Sequence, residues 1–134
     1  MKLFCAYAFT GEDLQQVTHR MQLVVAALNA GGHQAYCNRF DAVVDKLQAA
    51  GDTKGIFAEA FKNIEASEGM VAIITSPNRS IGQIMEIGIA LSQHKPVYLF
   101  EHKSAEGSSY LPKLVDAYYH WETLEDLQQA LKQI

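Results

Sequence analysis

The sequence predicts a three-layer α/β fold on a five-stranded, mostly parallel sheet. Three observations predict it. Short apolar runs of strand length alternate with longer stretches of helical periodicity. One run, Gly69-Met-Val-Ala-Ile-Ile-Thr75, is apolar almost throughout, as in a central parallel strand covered on both faces. Turn and cap residues such as Gly31-Gly32, Gly51-Asp52 and Lys95-Pro96 fall between the runs.

The elements follow in order. Lys2 to Phe9 reads as a buried first strand, and Thr10-Gly-Glu-Asp13 as a turn with a helix cap. Leu14 to Ala30 carries Leu14, Val17, Met21, Val24, Val25 and Leu28 on one helical stripe. Asn29-Ala-Gly-Gly32 ends that helix with residues that tolerate left-handed geometry. His33 to Phe40 is a second strand, and Asp41 caps a short helix reaching Ala50. Lys54 to Ser67 is a helix with Ile56, Phe57, Ala60, Phe61 and Ile64 on its apolar face. Gly69 to Thr75 is the third strand, Ser76 to Arg79 a loop, and Ser80 to Gln93 a helix. Pro96 to Phe100 is the fourth strand, followed by a polar, mobile loop from Glu101 to Tyr110. Leu114 to Trp121 is a weaker fifth strand, and Glu122 to Ile134 closes the chain as a helix with acidic residues at its start. Right-handed crossovers arrange five such strands in the flavodoxin-like order 2-1-3-4-5.

Composition narrows the function classes. At 134 residues, 49% apolar and 19% charged, the chain is one globular domain. A net charge of −4 excludes nucleic acid as the expected partner. The longest apolar runs are far too short to span a bilayer, and the N-terminus lacks a signal-peptide pattern, so a cytoplasmic protein without a membrane partner is expected. Cys5 and Cys37 lie in apolar runs, without metal or redox spacing, and read as buried reduced thiols. The five histidines do not cluster, so no metal is expected. Asp41 and Asp45 read as capping or solvated residues, and Tyr110, Tyr118, Tyr119 and Trp121 as core or subunit interface.

In open parallel sheets, ligands bind beyond the carboxyl ends of the strands near the switch in strand order. That brings together the loops Tyr7 to Glu12, Ser76 to Gly82 and Glu101 to Tyr110. Ser80 followed by Gln83 has capping-box spacing. Gly82 lets a ligand approach a helix N-terminus whose free amides and dipole favour negative charge. Glu86 sits among Ile84, Met85, Ile87, Ile89, Ala90 and Leu91, on one face with Gly82, Gln83, Ile89 and Ala90. A helix apolar on all sides is buried, and a carboxylate inside it is costly unless paired or used. No basic residue lies three or four positions away.

Phe4-Cys-Ala, Val71-Ala-Ile-Ile-Thr, Ser80-x-Gly82-x-x-x-Glu86-x-Gly88-x-Ala90 and Lys95-Pro-Val-Tyr-Leu-Phe100 together resemble the nucleoside 2-deoxyribosyltransferase superfamily, which includes the 2'-deoxynucleoside 5'-monophosphate N-glycosidases. The resemblance runs from Lys2 to about Phe100. It implies cleavage or transfer of a (deoxy)ribosyl group on a small nucleoside or nucleotide, through a covalent glycosyl-glutamate at Glu86 and without a cofactor. It implies that Ser80 binds the 5' end of the sugar unit, that Gly82 keeps the path open, and that the chain forms a homodimer or higher homo-oligomer. Two positions depart from the family. Ala60 stands where an Asp is usual, with Glu59 beside it as the candidate replacement. Phe9 stands where the monophosphate N-glycosidases carry a basic residue, leaving Arg79 as the nearby cation. Tyr7 and Phe9 suit an aromatic wall for a base, and His102 is the histidine expected near the site. Other readings are a non-catalytic nucleoside- or nucleotide-binding module, and a glycohydrolase acting on NAD or on a phosphoribosyl compound.

Overall fold

The structure, a computed structural model, describes residues 1–134. Strand β1 is Lys2–Tyr7 and helix α1 is Leu14–Ala30. Strand β2 is only Gln34–Tyr36, and a 3-10 turn at Asn38–Phe40 leads to α2, Ala42–Ala49. Then come α3 (Thr53–Ala66), β3 (Gly69–Ile74), α4 (Ile81–Ser92) and β4 (Val97–His102). Strand β5 (Ala117–Trp121) and helix α5 (Leu124–Leu131) close the chain. All neighbouring strands pair in parallel, in the order 2-1-3-4-5. No helix is long and apolar enough to cross a membrane.

Strand alternation sorts the core into two layers. Leu3 and Cys5 of β1, with Val71 and Ile73 of β3, face Val17, Met21, Val24 and Leu28 of α1 and Leu127 and Leu131 of α5. Phe4 and Ala6, with Met70, Ala72 and Leu99, face Ala60 and Ile64 of α3 and Ile87 and Ala90 of α4. Each fully buried Leu, Ile, Met or Phe contributes about 1.5–3 kcal/mol of transfer free energy. Every residue of β3 is buried, which is why its sequence reads as an unbroken apolar run.

Capping chemistry fixes the helix starts. Asp13, Asp41, Asp52 and Ser80 each accept a backbone N–H of the following turn. Thr123 and Asp126 form a reciprocal capping box at α5. After α1, Gly32 adopts a φ of +89°, and the Asn29 side chain accepts the Ala35 N–H.

Three expectations are corrected. The second strand does not reach Phe40, because β2 is an edge strand that pairs only with Lys2 to Phe4 and the chain then turns at Asn38. The polar stretch after Phe100 is not one long loop. Glu101 and His102 continue β4, and short 3-10 turns follow at Lys103–Ala105 and Leu111–Lys113. Glu101 is buried in the sheet because the Tyr118 hydroxyl donates to it at 2.6 Å. Nor is α4 covered on all sides: Ile81 is 77% exposed, and Ile84 and Met85 are also exposed.

Candidate active site

The inward face of α4 carries Gln83, Glu86, Ile87 and Ala90. Gln83 does not complete a capping box. The Ser80 side chain accepts the Gln83 backbone N–H, but the Gln83 amide turns to the sheet. There it donates to the carbonyls of Ala6 and Ile73 at 3.2 and 2.8 Å. The first turn of α4 is thereby tied to the ends of β1 and β3, on either side of the switch in strand order. Glu86 follows one turn later.

Glu86 borders a cavity of about 490 Å³. Tyr7, Phe9, Ser80, Gly82 and Gln83 line it with Glu86, and Ile56, Phe57 and Ala60 of α3 form one wall. Phe9 is 46% exposed, so its ring borders the opening and is not strand-end core. A Cβ at Gly82 would meet the Phe57 ring at 3.5 Å, an ordinary contact. The fold therefore tolerates alanine there, while the cavity gains space from glycine.

Burial pushes the Glu86 carboxyl up to about 8. The two ion pairs of the molecule, Lys62–Glu59 and Lys103–Glu122, lie elsewhere. Glu86 is thus a buried acid facing a cleft, with no basic partner to hold its charge. Burial likewise raises the Tyr7 hydroxyl; nearby Cys37 adds to this, Arg39 opposes it, and Glu86 and Asp45 raise it further. Cys37 is itself pushed up to about 12 by burial, which keeps its thiol protonated and inert. Cys5 and Cys37 are both buried and unbridged.

Three of the expected site residues lie outside this cavity. Glu59 sits beside Lys62 and Asn63 on α3. Arg79 donates to the Ser108 carbonyl. His102 packs edge-on against Trp121 with ring centroids 4.7 Å apart. Its Nδ1 accepts the Ser104 N–H, so Nε2 carries the proton and donates to the Glu122 carbonyl at 3.1 Å. It faces a separate cleft with Gln16, His19 and Arg20.

Other residues entered the site unannounced. Thr10, Leu14, Asn38, Arg39, Val44, Asp45 and Gln48 all line the cavity. Extending the second strand through Phe40 hid the turn that carries Asn38 and Arg39. The helix cap at Asp41 was the available signal, since the strand must end before its cap.

In an all-parallel sheet of the α/β class, the cleft at the switch in strand order is where small ligands bind, and here it holds a buried acid. Residues 4–118 match the family described as nucleoside 2-deoxyribosyltransferase, and the chain belongs to that family of enzymes. No curated protein sequence matches the chain. Among solved structures, the CMP N-glycosidase BcmB of Clostridium botulinum is similar with a TM-score of 0.74 and 16% identity, over 99% of this chain and 98% of that one. The 2-deoxyribosyltransferase of Bacillus psychrosaccharolyticus is similar with a TM-score of 0.70 and 22% identity, over 96% of this chain and 90% of that one. At these identities the likeness establishes the shared fold.

Proposed function

We propose that this protein cleaves, or transfers across, the N-glycosidic bond of a nucleoside or nucleotide through a covalent glycosyl-glutamate at Glu86. The observation that carries the reading is the Glu86 carboxyl, buried without a basic partner yet bordering a cavity with an aromatic rim. In the first step a Glu86 oxygen bonds to the anomeric carbon. The carbon–nitrogen bond breaks, its electrons leave with the base, and the base takes up a proton from solvent. In the second step water, or a nitrogen of another base, attacks the anomeric carbon, gives up a proton to solvent, and releases Glu86 as carboxylate. The transition state resembles an oxocarbenium ion, which an adjacent carboxylate stabilises in a water-poor site. Ser80 and the amides that open α4 suit the oxygen-rich 5' end of the sugar. Tyr7, Phe9 and Phe57 suit the face of a base. No cofactor takes part. The protein works in the cytoplasm, where its two free thiols stay reduced, and as a homo-oligomer.

The test is base release. Full-length protein is incubated with deoxynucleosides and deoxynucleotides, with and without a second free base, and products are separated by chromatography. Glu86→Ala and Glu86→Gln are expected to lower turnover by at least about a thousandfold, the loss typical of a nucleophile. Retained turnover in either variant overturns the role of Glu86. A non-catalytic binding module is the second reading, favoured by Ala60 in place of the usual Asp. No product from any substrate, together with thermal stabilisation by a nucleoside, selects it.

A further inference from the structure

Part of the cavity lining is left unused by the reaction above. The 3-10 turn after β2 and helix α2 contribute Asn38, Arg39, Asp45 and Gln48 to it. Arg39 is anchored at one nitrogen only. Its Nε donates to Thr18 Oγ1 at 3.0 Å, and the Thr18 hydroxyl donates to the Leu14 carbonyl at 2.8 Å. The outer guanidinium nitrogens make no ion pair, and neither does Asp45. The Asn38 Oδ1 is buried without a hydrogen-bond partner. Ala60, by contrast, gives the α3 wall no polar group at all.

Charge decides what this part suits. Arg39 alone would attract a phosphate, but Asp45 shares the cavity with it. A dianion would gain from the guanidinium and lose to the carboxylate. A neutral heterocycle satisfies both: a carbonyl or ring nitrogen accepts from Arg39, and an amino N–H donates to Asp45. Ser80 and the α4 amides are left for the sugar oxygens. Resting on the reading of this cavity as a nucleoside site, we infer that Asn38, Arg39 and Asp45 read the hydrogen-bonding edge of the leaving base. Asp45 and Arg39 are specificity-determining residues in this arrangement, and the chemistry stays with Glu86.

Calorimetric titration with free cytosine, uracil, adenine and hypoxanthine, and with inorganic phosphate, tests the inference without needing turnover. The full chain is compared with Asp45→Asn, Arg39→Gln and Glu86→Gln, each checked for folding by circular dichroism. Asp45→Asn is expected to shift the affinity ratio of amino-bearing bases to their oxo counterparts by about tenfold or more. Glu86→Gln is expected to leave that ratio unchanged. Unchanged ratios in Asp45→Asn, absence of base binding in the full chain, or phosphate binding that Arg39→Gln abolishes would each overturn it. Failure of the proposed reaction is separable. A protein that releases no base, yet shows the Asp45-dependent shift, keeps this inference and loses the reaction. One that turns over with unchanged base ratios does the reverse.

Discussion

Glu86 is the residue where stability and proposed chemistry oppose each other. Its carboxyl is raised from 4.5 to about 8 by burial. The folded chain therefore keeps a proton that the unfolded chain releases, and stability falls as pH rises through that window. Glu86→Gln removes the conflict. The variant should match the wild type below about pH 4 and exceed it above pH 8 by up to about 5 kcal/mol, the free-energy equivalent of the shift. Melting temperature followed against pH measures this; parallel curves would refute it. The same proton limits the proposed reaction, because a nucleophile must be ionised. Near neutral pH the free protein therefore favours a protonated Glu86. Initial-rate measurements should show kcat/KM rising about tenfold per pH unit below pH 7 and levelling near 8. A flat profile from pH 5 to 7 would show that a different group governs the step.

At the scale of elements, α4 owes its position to Gln83. Replacing it with Met keeps the bulk and removes both donors to the ends of β1 and β3. A loss of about 1–3 kcal/mol is expected in denaturant unfolding, with kcat falling more than KM rises. Tyr118→Phe should cost a similar amount. It leaves the buried Glu101 without its 2.6 Å partner, and the other Glu101 carboxyl oxygen already lacks one. These two side chains also mark where the sequence was and was not legible. The helices could be read because caps and apolar spacing are local: α1 begins and ends where its pattern does. Glu86 could be read because a carboxylate among isoleucines is anomalous in one dimension. Gln83 could not be read as a tether, since its acceptors lie 10 and 77 positions away. Glu101 looked like a loop residue until Tyr118 was beside it. Asp45 looked solvated because nothing local marks a helix face as a cavity wall.

For the whole molecule, the outer face of α4 stands out. Ile81, Ile84 and Met85 form an exposed apolar strip on α4, and Arg79 ties the segment before it to the stretch around Ser108. Tyr110 is 73% exposed in that stretch. The proposed homo-oligomer gives the strip an occupant, which would also reconcile the all-apolar sequence of α4 with burial. Ile81→Asp should then lower the mass in sedimentation velocity to that of one chain; an unchanged assembly would put the interface elsewhere. Trp121 lies at the far side of the sheet from this strip. It is the only tryptophan, it is buried, and its indole donates to the Phe100 carbonyl at 3.1 Å within the α1 and α5 layer. It is thus an intrinsic fluorophore that does not line the proposed nucleoside cavity. Its emission should redden when the domain unfolds and hold still when the cavity fills, so one spectrum can count folded molecules whatever is bound to them.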